Sequence, residues 1–147
     1  AHGGDGGYLI TGGGGSSILV GDAGNDILVG GAGQDLLIGG TGSDVITGDA
    51  GQDILIAGYT SHDNDSAALN SILATWNGAG TYAARVGALK SGLLNPSTSV
   101  FDDGQIDILY GGGGTDWYMY NFDSNGTVKD IVLDQRPSET GTDIDPA

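Results

Sequence analysis

Cysteine is absent from the 147 residues, proline occurs three times, and lysine and arginine together occur four times. Without cysteine there is no disulfide and no thiolate metal site, and the redox compartment cannot be read from the chain. Arg85, Lys90, Lys129 and Arg136 are the only fixed cations against 19 acidic residues, which leaves a formal net charge of −15. A surface of that sign repels nucleic acid and anionic membrane surfaces. No apolar run approaches the roughly 20 residues that a helical membrane span needs. Only His2 and His62 could act as imidazole bases. Ser61-His62-Asp63 are neighbours in sequence, whereas a catalytic triad needs convergence in space. No catalytic residue is assigned, and the chain is not read as an enzyme. It opens Ala1-His2-Gly3, with neither an initiator methionine nor a signal-peptide pattern, and so reads as a segment cut from something longer.

Glycine is what the chain has in excess, at 30 residues. Its glycines and aspartates recur with a period of nine, through GGDGGYLIT (3–11), GGGGSSILV (12–20), GDAGNDILV (21–29), GGAGQDLLI (30–38), GGTGSDVIT (39–47) and GDAGQDILI (48–56). In the repeat, positions one to four form a turn, position six is typically an aspartate and positions seven to nine are mostly apolar. The first two frames carry Tyr8 and Ser17 where the aspartate belongs, and Asp22 and Asp49 stand at a glycine position. A three-residue strand cannot stand alone and has to stack on its neighbours. Calcium takes six to eight oxygens from carboxylates and carbonyls. A glycine-rich turn with bare carbonyls and one carboxylate supplies half such a shell, and two stacked turns complete it. A 38 % hydrophobic content argues against disorder once the acid is neutralised.

The period fails after Ile56. Asp65 or Ser66 can cap a helix, and Leu69, Ile72, Leu73 and Trp76 make one apolar stripe. A second helix is expected near Thr81, with Tyr82, Val86 and Leu89 on one side. The pattern then returns in DDGQIDILY (102–110), with Asp107 at the aspartate position, and GGGGTDWYM (111–119), with Asp116. Position eight is expected to face inward, at Ile10, Leu19, Leu28, Leu37, Ile46, Leu55 and Leu109. That leaves Ile18, Val20, Leu36, Ile38, Ile54 and Ile56 as an outer apolar face, which the two helices are expected to cover. Leu9, Ile27, Val45 and Tyr110 make the opposite face apolar enough to want a partner, so dimerisation is possible. Thr11 and Thr47 are too few to make an ice-binding face.

The pattern GGxGxDxUx resembles the calcium-binding nonapeptide of the RTX (repeats-in-toxin) family. The end section FDDGQIDILYGGGGTDWYMY is similar to the close of RTX arrays in secreted bacterial proteins. The resemblance implies a mainly β, right-handed parallel β-roll of two nonapeptides per coil, with a two-helix insertion on one sheet and a C-terminal cap. Turns eighteen residues apart would then stack, aligning Asp26, Asp44 and Asp107 on one edge and Asp35, Asp53 and Asp116 on the other. About four calcium ions would lie between successive turns, with one or two weaker sites at the ends. The carbonyl ligands would come from Gly21, Ala23 and Gly24, then Gly30, Gly31, Ala32 and Gly33, then Gly39, Gly40, Thr41 and Gly42. Gly48, Ala50 and Gly51, and then Gly111, Gly112, Gly113 and Gly114, would supply the rest. Asp63, Asp65, Asp102 and Asp103 are spare carboxylates near the Asp44 site, with capping or loop roles as the alternative.

The domain reading is one calcium-binding unit over 1–147: repeats at 3–56, a helical insertion at 57–100, returning repeats and cap at 101–135, and a loose tail at 136–147. In it, Trp117-Tyr118-Met119-Tyr120 close the open end, a last strand near 128–133 blunts the edge, and Asp145-Pro146 lies in the tail. By resemblance the module is secreted from a Gram-negative bacterium by type I machinery, folds on extracellular calcium, and serves an upstream domain of a larger protein. An adhesin or domain-docking role for the outer apolar sheet is the alternative.

Overall fold

A computed structural model describes residues 1–122 and 129–144. The first part of the chain lays down β1 (His2–Asp5), β2 (Leu9–Gly13), β3 (Ile18–Ala23), β4 (Ile27–Ala32), β5 (Leu36–Ile38), β6 (Val45–Ala50) and β7 (Ile54–Ile56). The insertion carries β8 (Tyr59–Thr60), α1 (Ser66–Trp76), α2 (Tyr82–Lys90) and β9 (Val100–Phe101). The chain ends in β10 (Ile108–Gly113), β11 (Trp117–Tyr120), β12 (Ile131–Val132) and β13 (Thr140–Asp143).

Successive repeat strands go to alternate sheets. One sheet has the order β1-β3-β5-β7-β11-β13 and the other β12-β10-β6-β4-β2, and every pairing within them is parallel. Ile18 pairs with Leu36, Leu36 with Ile54 and Ile54 with Trp117. Each coil therefore repeats after two nonapeptides, and the insertion interrupts the count without shifting the register. Antiparallel β8 and β9 clip the two ends of the insertion together through Tyr59↔Phe101 and Thr60↔Val100. This is the parallel β-roll expected from the repeat.

Packing follows the period-two geometry of short strands. Position eight lies in the core, with Leu19, Leu28, Leu37, Ile46, Leu55 and Leu109 buried. The outer face of the six-stranded sheet is covered as well: Val20, Leu36, Ile38, Ile54 and Ile56 are fully buried, and Leu69, Ile72 and Trp76 of α1 and Val86 and Leu89 of α2 are buried with them. Asp65 caps α1 by accepting from the Ala68 N–H, and Thr81 caps α2 by accepting from the Ala84 N–H. Trp76 donates its indole N–H to the Gln52 carbonyl. Arg85 lies 4.8 Å over the Trp76 ring and donates to Gln52 Oε1 at 2.6 Å. Tyr82 donates to the Asp116 carbonyl at 2.6 Å, so both helices are pinned to turns of the roll.

The far end differs from the sequence expectation. Trp117–Tyr120 do not close the roll, because β13 pairs beyond β11, from Trp117↔Thr140 to Tyr120↔Asp143. Residues 140–143 are thus a strand where a loose tail is expected, since the open edge of β11 offers its backbone groups as partners. The blunting strand is Ile131–Val132, paired with β10; Val128, Asp145 and Pro146 lie outside the described residues.

Candidate metal centres

Each repeat aspartate sits on the turn above its predecessor and caps it. Asp26 Oδ1 accepts the Tyr8 N–H at 2.8 Å, Asp44 Oδ1 the Asp26 N–H at 2.8 Å, and Asp107 Oδ1 the Asp44 N–H at 2.6 Å. On the opposite edge Asp35 Oδ1 accepts the Ser17 N–H at 2.6 Å, Asp53 Oδ1 the Asp35 N–H at 2.8 Å, and Asp116 Oδ1 the Asp53 N–H at 2.9 Å. The two columns expected from the sequence are therefore present, in the expected order.

The other carboxylate oxygen has no such partner. Oδ2 of Asp26, Asp35, Asp44, Asp53, Asp107 and Asp116 is buried with no hydrogen-bond donor. Leaving a buried acceptor unsatisfied costs about 1–3 kcal/mol, and more for a charge. Burial is the main cause that raises these carboxyls above the ordinary aspartate value; neighbouring column aspartates add to it at Asp44, Asp53 and Asp107, and Glu139 and Asp134 at Asp116. Asp44 and Asp116 are pushed up to about 6, Asp53 to about 8 and Asp107 to about 9. Asp26 and Asp35 are also raised by burial.

Position-one glycines make room for this oxygen. A Cβ on Gly39 would lie 2.6 Å from Asp44 Oδ2 and 2.6 Å from the Ala57 carbonyl; on Gly48 it would collide with Asp53 Oδ2 and meet the Gly111 carbonyl at 2.7 Å. Gly21, Gly30 and Gly111 stand in the same relation to Asp26, Asp35 and Asp116. Position four is left-handed in Gly24, Gly33, Gly42, Gly51 and Gly114, and position two in Gly31, Gly40 and Gly112. Asp22 and Asp49 adopt the same conformation at φ 73° and 80°, which aspartate tolerates better than most residues. The carbonyls of Ala23, Thr41, Ala50 and Gly113 accept N–H groups from adjacent turns; each retains a second lone pair. Ala32 lies in β4, opposite Ala50 of β6.

Among the described residues no three acidic or imidazole side chains converge on one point. An ion between two turns would meet two carboxylates and need backbone carbonyls for the rest of its shell. The turn chemistry fits a hard, oxygen-seeking cation of that kind.

Of the spare carboxylates, Asp65 is the α1 cap, and Asp63 accepts the Thr60 hydroxyl at 2.5 Å. Asp103 does reach the Asp44 turn, accepting the Gly42 N–H at 2.6 Å. Asp102 Oδ2 lies 3.4 Å from Asn121 Nδ2. Asp22 accepts the Gly4 N–H and sits 3.1 Å from His2 Nδ1.

Two residues that sequence reasoning missed prolong the columns. Asp130 Oδ1 accepts the Asp107 N–H at 3.0 Å, and its Oδ2 accepts the Asn121 N–H at 2.9 Å. Its carboxyl is pushed up to about 6, chiefly by burial. Buried Glu139 falls opposite Asp116 by the Trp117↔Thr140 register. The signal was there: KDIVL at 129–133 repeats the aspartate-then-apolar half of the frame, and Glu139 follows Asp130 by nine residues. Both frames, NGTVKD and DQRPSE, lack glycine at positions one and four, and that hid it.

Comparison with known families matches residues 2–37, 32–58 and 99–125 to the RTX calcium-binding nonapeptide repeat. Neither a curated protein nor a solved structure gives a significant match.

Proposed function

The chain belongs to the RTX calcium-binding nonapeptide repeat family, and on that premise we propose that it is a module folding on extracellular calcium within a larger secreted bacterial protein. The observation that carries this reading is the set of six buried aspartate Oδ2 atoms without a donor. When bound, calcium supplies the positive charge those oxygens lack. Asp26 with Asp44, Asp44 with Asp107, Asp35 with Asp53, and Asp53 with Asp116 would hold about four ions, each completed by carbonyls of the flanking turns. Asp107 with Asp130 is a weaker end position, because Asn121 already donates to Asp130.

The metal-free chain carries a net charge of −15 with its carboxylates stacked turn on turn. Coil stacking is then opposed by repulsion and desolvation, and binding free energy becomes folding free energy. Extracellular modules hold calcium at about 10⁻⁴–10⁻³ M, so the chain would stay unfolded in a calcium-poor cytosol and fold outside. That order suits passage through type I secretion machinery in an unfolded state, from a Gram-negative cell. With their carboxylates taken up by calcium, the columns support the role of a scaffold for another part of the parent protein.

A chelator-treated sample titrated with calcium, and with magnesium as control, tests this by far-UV circular dichroism. A cooperative gain of β signal with calcium alone is expected. A β spectrum already complete in chelator and unmoved by calcium would sink the reading.

A second reading draws on the five-stranded sheet, whose outer face exposes Leu9 at 67 %, Ile27, Tyr110, Ile131 and Leu133 at 64 %. Such a face suits docking to another protein surface. Light scattering of the calcium-loaded chain, with and without Ile27→Lys, checks whether copies of this chain serve as that surface.

A further inference from the structure

We propose that the guanidinium of Arg136 is the resident cation of the last turn interval on the Asp35–Asp53–Asp116 edge, standing where calcium stands in the intervals below. This rests on the calcium reading and specifies where it stops. The Trp117↔Thr140 register lays 134–139 on 111–116 as one more turn, with Glu139 against Asp116 and Arg136 at the third position. In the preceding repeat frames the third position is Asp5, Gly14, Ala23, Ala32, Thr41, Ala50, Gly104 or Gly113, all short side chains and none of them cationic. Here alone it is long and cationic.

Arg136 folds back onto the turn beneath it. Nη1 donates to the Gly114 carbonyl at 2.8 Å and Nη2 donates to the Gly112 carbonyl. Nε lies 3.6 Å from Glu139 Oε1, which has no hydrogen-bond donor, and the Arg136 backbone N–H donates to Glu139 Oε2 at 2.7 Å. Asp134 completes the clamp by accepting the N–H groups of Gly111 and Gly112 at 2.9 and 2.8 Å. Carbonyls from the second and fourth turn positions and the next acid in the column thus face the guanidinium, on the turn that carries Asp116. They are the ligand types that an ion between two inner turns would meet.

Arginine suits the task because its charge is permanent and its donors are spread in a planar fork. Its side chain is 45 % exposed while that of Glu139 is fully buried, so the charge reaches the acid from the rim. An unneutralised buried glutamate is costly. The last coil can therefore close on this edge without binding another ion.

The test is equilibrium dialysis against radiolabelled calcium, counting ions per chain for the wild type, Arg136→Gln and Arg136→Lys, with folding checked by circular dichroism. Arg136→Gln keeps the carbonyls, Asp116 and Glu139 but removes their cation, and is expected to bind one more calcium per chain. Arg136→Lys keeps the charge and is expected to match the wild type. An unchanged or lower count for folded Arg136→Gln overturns the inference. Should Arg136→Gln not fold in calcium, an extra ion on Arg136→Lys overturns it and a wild-type count supports it. A wild type that binds no calcium fails the underlying reading instead, which is a separate result.

Discussion

At the scale of single residues the columns divide the work of one carboxylate between its two oxygens. Oδ1 takes the N–H of the preceding turn, and Oδ2 is left without a donor. Asparagine in place of Asp53 would keep an acceptor for the Asp35 N–H and remove the charge. In calcium, Asp53→Asn is expected to weaken binding by at least the roughly 10–100-fold that loss of an outer-shell partner costs, because Asp53 borders two intervals. Asp26→Asn is expected to cost less, since its outer neighbour is Tyr8. In chelator the order reverses, and Asp53→Asn is expected to be neutral or stabilising because a buried charge has gone. Calcium titrations of the two variants check the first statement and urea unfolding in chelator the second; equal calcium losses would contradict the column register. Five of the six column aspartates were legible in the sequence because each follows a position-one glycine whose missing Cβ leaves space for its oxygen; Asp107, with Asp102 in that place, was legible from the Ile108-Leu109-Tyr110 strand and the full frame after it. Asp130 and Glu139 were not, because their turns carry no such glycines.

Elements decide which surface of the roll is dry. The two helices were legible from their apolar stripes and caps, and their place on the six-stranded sheet from its second set of apolar residues, Leu36, Ile38, Ile54 and Ile56. What the sequence did not show is the polar stitching that holds them there. Arg85 bridges α2, the Trp76 ring and Gln52, and Tyr82 reaches the Asp116 carbonyl. Ile72 is fully buried between α1 and the sheet. Ile72→Ala is expected to cost about 2–5 kcal/mol in calcium-saturated urea unfolding and to raise dye binding. A change within about 0.5 kcal/mol, the usual range for surface substitutions, would mean the helix does not seal this face.

For the whole molecule, charge and pH act on folding in one direction. The column carboxyls have folded values above the ordinary 3.8, at about 6 for Asp44 and Asp116, about 8 for Asp53 and about 9 for Asp107. A raised carboxyl means that the metal-free folded state binds more protons than the unfolded chain, so its stability falls as pH rises. Stability gained by protonation is lost as pH climbs through those folded values, from about 6 to about 9. In chelator, the β signal is expected to grow as pH is lowered from 9 toward 5. With calcium present, protons compete for the same oxygens, so the apparent affinity is expected to fall over the same window. A metal-free spectrum that is flat across it would show that the aspartate columns do not control folding.

The sequence by itself determined the nine-residue step, which follows from local chemistry: glycine where a turn is tight, aspartate where a turn needs an acceptor, and three apolar residues where a strand must be buried. The alternation of strands between two sheets and the aspartate order along each edge were what its resemblance to the RTX repeat implied. Tertiary structure alone decided how the roll ends. Thr140–Asp143 reads as a loose tail until the open edge of β11 supplies its hydrogen-bond partners. Arg136 reads as a surface cation until the same pairing lays it across the carbonyls of Gly112 and Gly114. A repeat can be read residue by residue because each turn is built like the last. A cap cannot, because its residues are selected by the particular edge they have to satisfy.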